Sequence, residues 1–222
     1  MATLDEIRRE IIYLTGAMIE VGLSIDQNFP SEKIFAGENG GIKELTVPRA
    51  DEISVALKRR PYAETYAVLK ESRAYNMRLI DGALIQMRYR FDDFNLIKHV
   101  LAFYPSPDLL EYQNDPELYE AEILYADVIH KDVVTTPIRF DFDESAFQEV
   151  IHPKSHFTIG QYKNCRIPVL TAMTPFRFIN FILRAFYNSP YREFCSGWKG
   201  SAADFPPSAT DLERADLHLS FS

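Results

Sequence analysis

The chain has 222 residues with a formal net charge of −8, and 46% of its residues are hydrophobic. That length and composition are sufficient for a domain with a sizeable buried core. Because coating a phosphate backbone requires a basic surface, the acidic balance argues against broad, non-specific nucleic-acid binding and leaves room for a local basic pocket.

Cysteine usage and the N-terminal residues favour a cytoplasmic location. Cys165 and Cys195 are too few for a disulfide framework and lack metal-ligand spacing, so we expect two reduced thiols. The first residues are acidic and contain no apolar signal segment. No apolar run approaches the roughly 20 residues that span a bilayer, so we expect no membrane association.

The N-terminal part of the chain predicts an amphipathic helix. Thr3 and Glu6 match a capping box, in which each side chain binds a free backbone amide of the first turn. Apolar residues then recur at spacings of three and four to about Gly22, which is the helical period.

The next part predicts a long connection followed by a second helical block. Residues 26–48 are irregular, with a short strand expected near residues 42–47. The helical block starts near Ala50 and is divided by Pro61, because proline lacks the donor that a helix interior needs. It ends at Gly82, a residue typical of helix C-termini.

From residue 83 onward the apolar pattern changes to the two-residue period of strands. The expected strands are residues 83–91, 96–104, 122–129, 138–143 and 155–161. Because no helix separates successive strands, they predict an antiparallel meander.

The meander is followed by a predicted helix and a tail. Thr174 and Pro175 are typical of an N-cap and a first helical position. Apolar residues recur over residues 178–186, so we expect this helix to be buried against the sheet. The sequence thus predicts one α+β domain over residues 1–196, in which about five antiparallel strands are packed on one face by helices, with further helices at the N-terminus. Residues 197–222 are expected to form a loosely held tail.

Alternation along the predicted strands collects polar side chains on one sheet face. That face would carry Arg88, Arg90, His99, Arg139, Asp141, His156 and Thr158. Arginine binds phosphate or carboxylate in bidentate fashion, and histidine exchanges protons near neutral pH. We therefore predict His156, Arg88 and Arg139 as catalytic residues.

The segment from residue 152 to residue 168 adds basic side chains and no acid, in a chain that is acidic as a whole. A local positive charge favours an anion, most simply a phosphate-bearing ligand. The predicted binding residues are Arg90, His99, Lys154, Lys163 and Arg166. The sequence does not identify a cofactor.

Other interpretations of the same residues stay open. A solvated sheet face normally carries arginine and aspartate, and His156 could be a histidine whose hydrogen bonds are met within the protein. Asp141 and Asp143, with Asp127 expected nearby, could hold Mg²⁺, although no metal ligand is predicted. Cys165 could be a thiol whose pKa the neighbouring arginine lowers, or it could be a small buried side chain.

Five segments of the chain resemble a bacterial family known only as a conserved domain of unknown function. They are residues 73–76, 80–87, 103–107, 137–141 and 155–168. The similarity extends over about residues 1–190. The family's sporadic distribution resembles that of phage-defence and mobile-element genes, which implies such a context and assigns no catalytic residue. A fainter similarity, in strand order and in an Arg- and Tyr-rich first strand, is to small toxins of the TumE type.

Two functional hypotheses follow from these observations. In the first, the chain is a component of a bacterial anti-phage defence or toxin-like system whose Arg- and His-lined site binds or acts on nucleic acid or a nucleotide. In the second, it is a non-catalytic subunit that binds a partner protein encoded nearby. An enzyme should gather Arg88 and His156 around one concave site. An interaction subunit should expose an apolar patch, for which residues 109–112 and the helix over residues 62–77 are the candidates.

Overall fold

The computed structural model describes residues 1–36, 41–49, 60–92, 95–109, 114–128, 136–162 and 164–221. Within these ranges the chain forms a nine-stranded antiparallel sheet. The strands are β1 Ser24–Gln27, β2 Ser31–Ala36, β3 Gly41–Thr46, β4 Met77–Leu79, β5 Leu84–Asp92, β6 Asn95–Tyr104, β7 Ile138–Asp143, β8 Ser155–Ile159 and β9 Ile167–Pro168.

Helices flank this sheet. They are α1 Leu4–Glu20, α2 Tyr62–Glu71, α3 Pro116–Ala121, α4 Pro175–Phe186 and α5 Asp211–Ala215, with a 3₁₀ turn at Ile123–Tyr125, a single turn at Asn188–Pro190 and a π-helical turn at Tyr191–Cys195. α1 begins with the expected capping box between Thr3 and Glu6. Within the described ranges, no helix combines the length and the apolarity that crossing a bilayer requires.

The strand order explains how the sheet grows beyond a simple meander. It runs β1-β4-β5-β6-β7-β8-β9, and β3 also pairs with β5 while β2 pairs with β3. One edge of β5 is therefore shared: its first residues pair with β4 and its last residues with β3. The other edge of β5 pairs along its whole length with β6.

The α+β class and the antiparallel order are confirmed, but the expected number of about five strands is wrong. The predicted strands that begin near residues 83, 96, 138 and 155 are present as β5 to β8. Residues 122–129 were expected to form a strand, and within them Ile123–Tyr125 is a 3₁₀ turn. The ring of Tyr125 packs there on Tyr119, with ring centroids 4.0 Å apart.

One sheet face carries the core, which α1 and α4 cover. Side chains at Ile11, Leu14 and Met18 of α1 are fully buried. Beneath α4, the Phe140 ring lies 4.7 Å from Phe157, measured between ring centroids, in a cluster of aromatic side chains. Aromatic packing of this kind contributes dispersion and apolar burial together.

The α4 helix is buried on one side, as expected, but its apolar residues are not all in the core. Thr174 caps the helix by accepting a hydrogen bond from the amide of Arg177. Phe178 and Ile182 are buried, whereas Ala185 and Phe186 are exposed. The periodicity therefore identified the helix correctly and extended its buried face one turn too far.

The C-terminal segment, which was expected to be a loosely held tail, is joined by backbone hydrogen bonds to the residues that follow β9. The amide of Leu219 donates to the carbonyl of Pro168, and the amide of Leu170 donates back to Leu219. The Phe221 ring packs on Phe140 with a centroid distance of 5.7 Å. The buried Glu213 carboxylate accepts a hydrogen bond from the amide of Val150, at 3.1 Å.

We expect Phe178→Ala to lower the free energy of unfolding by roughly 3–5 kcal/mol, because it removes a large buried ring and leaves a cavity. Phe178 is 0% exposed, whereas Phe186 on the same helix is 40% exposed. Phe186→Ala is therefore the matched control and should cost clearly less. Urea unfolding of both variants measures the difference, and equal losses would show that the buried face of α4 is assigned wrongly.

Candidate functional site

The sheet face opposite the core carries the polar side chains that alternation predicts. Asp141 lies directly opposite His156, and Arg139 lies opposite Thr158. Across β5 and β6, Arg88 occupies the same face. The predicted alternation of β7 and β8 is therefore present in the structure.

A cavity of about 910 Å³ stands over this polar face. The sheet forms its floor, α2 with the residues before it forms one wall, and the segment from Gly160 to Arg166 contributes another part of the lining. Its lining includes Arg60, Tyr62, Thr65, Leu69, Arg88, Lys98, Tyr104, Arg139, Asp141, Asp143, His152, His156, Thr158, Tyr162, Cys165 and Arg166. α2 therefore covers part of this face, while the side chain of Arg139 remains 44% exposed.

Arg88 and Arg90 share one carboxylate on the floor of this face. Glu44 of β3 is 2% exposed, and its Oε1 accepts a hydrogen bond from Arg88 Nη2 at 2.6 Å. Its Oε2 accepts one from Arg90 Nε at 2.8 Å. Pairing with two arginines compensates the loss of hydration that burial imposes on this carboxylate. Arg90 also lies over the ring of Phe35 and is not among the residues that line the cavity.

Asp141 links two of the predicted catalytic residues. Its Oδ2 lies 3.1 Å from Arg139 Nη2 and 3.7 Å from His156 Nε2. The nearby carboxylate raises the pKa of the Arg139 guanidinium above its usual value. Arg139 and His156 therefore both lie beside the carboxylate of Asp141.

His156 has a defined tautomer. Its Nδ1 lies 3.0 Å from the carbonyl oxygen of Pro153, which only accepts hydrogen bonds, so Nδ1 carries the hydrogen. In the neutral ring Nε2 then keeps its lone pair and faces Asp141. Burial lowers the pKa of His156, and the charges of His152 and Arg166 lower it further, while Asp141 and the Pro153 carbonyl oppose that shift. A neutral imidazole with an oriented lone pair is the arrangement of a general base.

The remaining predicted binding residues are distributed unevenly. Arg166 lines the cavity. Lys154 does not, because its ammonium group donates to Glu144 at 3.0 Å and lies over the ring of Phe147. Lys163 lies outside the described residues. Of Lys154 and Arg166, the described basic residues among the predicted ones in this segment, Arg166 is therefore the one that lines the cavity.

By strand register His99 lies on the core face and not on the face of Arg88, although it also borders the cavity. It pairs with Tyr89 and Phe142 across the neighbouring strands, and its ring packs between theirs. Nε2 of His99 accepts a hydrogen bond from the amide of Met173 at 3.0 Å. Complete burial lowers its pKa to about 3, so the ring is neutral.

The three aspartates that were considered for Mg²⁺ do not form one cluster, although Asp141 and Asp143 both line the cavity. Asp127 accepts hydrogen bonds from the amide and hydroxyl of Ser189, away from the sheet strands. Asp143 pairs with Lys98 at 2.6 Å. In the part of the chain that the structure describes, no group of three or more His, Cys, Asp or Glu side chains is arranged to hold a metal ion.

The two cysteines are free thiols with different surroundings. Cys195 is buried, which raises the pKa of its thiol to about 11. Cys165 lines the cavity, and its Sγ accepts a hydrogen bond from the amide of Ile159 at 3.4 Å. That bond anchors the segment after β8 and so helps to position the neighbouring Arg166.

Three charged residues at the site, Glu44, Arg60 and Lys98, were missed from the sequence. Glu44 lay in a segment judged irregular, although the short strand expected near it is present as β3. Arg60 precedes α2 and meets the cavity only because that helix crosses the polar face. A carboxylate alternating with apolar residues in residues 42–47 was the available signal for Glu44, whereas nothing local marks Arg60.

Within the described residues, the apolar side chains expected to form the exposed patch of an interaction subunit are buried or partly buried. Leu109 packs against the core, and Tyr66 and Leu69 of α2 are buried. Leu110 and Tyr112 lie outside the described residues. Among exposed apolar side chains, Ile34 of β2 is 69% exposed.

A model of the family described as an uncharacterized conserved protein (DUF2290) matches residues 23–221. This confirms the similarity to a family of unknown function, with a matched range that reaches the C-terminal segment instead of ending near residue 190. No curated protein and no solved structure matches the chain.

Asp141→Asn should lower the pKa of His156, because it removes the negative charge that stabilises the imidazolium. Proton NMR titration of the His156 ring measures this change. Asp143→Asn is the matched control, since Asp143 pairs with Lys98 and not with His156. Equal effects of the two substitutions would contradict a specific link between Asp141 and His156.

His99 should make the protein less stable in mild acid. Below about pH 6.5 the unfolded chain binds a proton at His99 that the folded protein excludes, so stability falls as the pH decreases from 6.5 towards 3. Between pH 7 and pH 5 this amounts to roughly 2 kcal/mol. His99→Gln keeps an acceptor for the Met173 amide and should reduce the pH dependence by that amount in urea unfolding. An unchanged pH dependence would contradict the buried neutral ring.

Proposed function

Because the chain belongs to the uncharacterized DUF2290 family, its function has to be inferred from its own residues, and we propose that the cavity binds the phosphate group of a nucleotide or a nucleic-acid strand. The observation that carries this proposal is the charge of the lining. Five cationic side chains, Arg60, Arg88, Lys98, Arg139 and Arg166, face two carboxylates, Asp141 and Asp143. The lining is positive in a protein whose formal net charge is −8.

The distribution of ion pairs indicates where an anion binds. Arg88, Lys98 and Arg139 each pair with a carboxylate on the sheet. Arg60 and Arg166, the rim arginines, have no carboxylate partner among the residues that the structure describes. An incoming phosphate can therefore bind the rim arginines without displacing a carboxylate of the protein.

The size and the aromatic lining suit a nucleotide unit. A volume of about 910 Å³ lies within the range of ligand cavities, roughly 300–1,000 Å³. Tyr162 is 75% exposed and lies on the same lining as Arg166. An exposed aromatic ring beside an arginine is the combination on which bases stack while their phosphates are held.

Binding or processing of nucleic acid or of a nucleotide is consistent with a component of a bacterial anti-phage defence or toxin-like system. The neutral His156, whose Nε2 lies beside Asp141 on the cavity lining, supports an enzymatic role over simple binding. The proposed ligand enters a local basic pocket, so a broad basic surface is not required.

A partner-binding subunit is the second candidate function. Strand β2 favours this second function, because most of its residues are exposed, among them the apolar Ile34. A complex formed through β2 should not depend on the rim arginines, whereas nucleotide binding should. A substitution of Arg166 therefore distinguishes the two functions.

Arg166→Gln should weaken binding of a single-stranded oligonucleotide about 10- to 100-fold, because a hydrogen bond to a charged group contributes roughly 1.5–3 kcal/mol. Fluorescence anisotropy with labelled RNA and DNA strands of one sequence, competed by AMP and inorganic phosphate, measures the affinity. Arg184→Gln is the matched control, because Arg184 is exposed on α4 and does not line the cavity.

Two results would overturn this proposal. One is the absence of saturable binding of any of these probes to the unmodified protein. The other is equal affinity of the Arg166 and Arg184 variants, which would place the anion elsewhere on the protein.

A further inference from the structure

The cavity contains a second histidine beside His156, and the two rings form a pair. The centroids of His152 and His156 are 5.0 Å apart, with an angle of 59° between the ring planes. Both residues line the cavity.

The position of His152 is fixed by the backbone. Its amide donates to the carbonyl of Gln148 at 2.7 Å, and the amide of Gln148 donates back to its carbonyl at 3.0 Å. The turn between them contains Val150 with a positive φ of 66°, and the buried Glu213 accepts the hydrogen bond of the Val150 amide. A conformation that is unfavourable for a branched residue is thus held in place by a distant carboxylate.

The two histidines have different surroundings. His156 is 4% exposed and keeps the lone pair on Nε2, because Nδ1 is bound to Pro153. His152 is half-buried, so its ring is more accessible to a ligand in the cavity than the ring of His156. The adjacent His152 lowers the pKa of His156 in addition to burial, which favours a neutral ring at His156.

We propose that the cavity cleaves single-stranded RNA by transfer of the phosphoryl group to the neighbouring ribose hydroxyl, with His156 as general base and His152 as general acid. This inference rests on the proposed function and specifies its substrate. An oriented base, an acid and an anion-binding arginine provide every group that this reaction needs except a nucleophile. RNA supplies that nucleophile as its own 2′-hydroxyl, which DNA lacks.

The step balances without any co-reactant. Nε2 of His156 takes the proton of O2′, and O2′ forms a bond to phosphorus. The bond from phosphorus to O5′ breaks, and O5′ receives a proton from His152. The products are one strand ending in a 2′,3′-cyclic phosphate and one beginning with a 5′-hydroxyl, while Arg166 stabilises the negative charge that develops on the phosphoryl oxygens.

The test uses the full chain, a labelled single-stranded RNA, and the same strand with one 2′-deoxy position, all in the presence of EDTA. We expect cleavage of the RNA to a 2′,3′-cyclic phosphate, identified by mass spectrometry, and no cleavage at the deoxy position. His156→Asn keeps the hydrogen bond to Pro153 but removes Nε2, and it should lower the cleavage rate about 100-fold or more. His152→Gln should have a similar effect.

His218→Gln is the control, because His218 is outside the cavity and the variant should cleave at the unmodified rate. A variant that loses cleavage but retains its melting temperature and its RNA affinity supports the catalytic assignment. RNA that binds without being cleaved would overturn this inference and leave phosphate binding standing. Cleavage that EDTA abolishes, cleavage at the deoxy position, or products without a 2′,3′-cyclic phosphate would overturn it in the same way. Absence of RNA binding would overturn both.

Discussion

Asp141 and His156 lie directly opposite each other on β7 and β8, and this register determines which side chains meet in the cavity. Because successive residues of a strand face opposite sides, a slip by one residue would place Asp141 among the aromatic rings of the core. The packing of Phe140 on Phe157, with centroids 4.7 Å apart, opposes such a slip. The apolar core therefore positions the side chains of the polar face.

Because α2 covers part of the polar face, the charged side chains beneath it are partly removed from water. A charge removed from water costs several kcal/mol unless it is paired, so carboxylates and arginines on a covered floor have to neutralise one another. Glu44 with Arg88 and Arg90, and Asp141 with Arg139, meet this requirement. The ion pairs on the floor thus maintain the shape of the site, and its excess positive charge is left to the rim arginines.

The sequence predicted the strands that contain the site and could not predict how the sheet is completed. β5, β7 and β8 alternate cleanly between polar and apolar residues, whereas β4 and β9 have three and two residues, which is too short for any period to appear. β6 is apolar on both faces, with Val100 on the polar side and Leu101 in the core, so its phase was undetermined. That ambiguity is why His99 was placed on the wrong face. Arg60 reaches the site through a tertiary contact that no local pattern encodes.

The C-terminal segment, although polar in composition, contacts the turn that precedes β8. Glu213 belongs to a polar segment, yet it is 1% exposed and binds the amide of Val150 in the turn before β8. The same segment continues to Leu219, which pairs with the residues after β9. The turn carries His152 and leads directly to His156, so its geometry depends on a carboxylate more than 60 positions away in the sequence. Glu213 also accepts a hydrogen bond from the amide of Thr210 in the capping box of α5. One buried carboxylate therefore satisfies the start of that helix and the turn before β8 together, which couples the conformations of two segments that are far apart in the sequence.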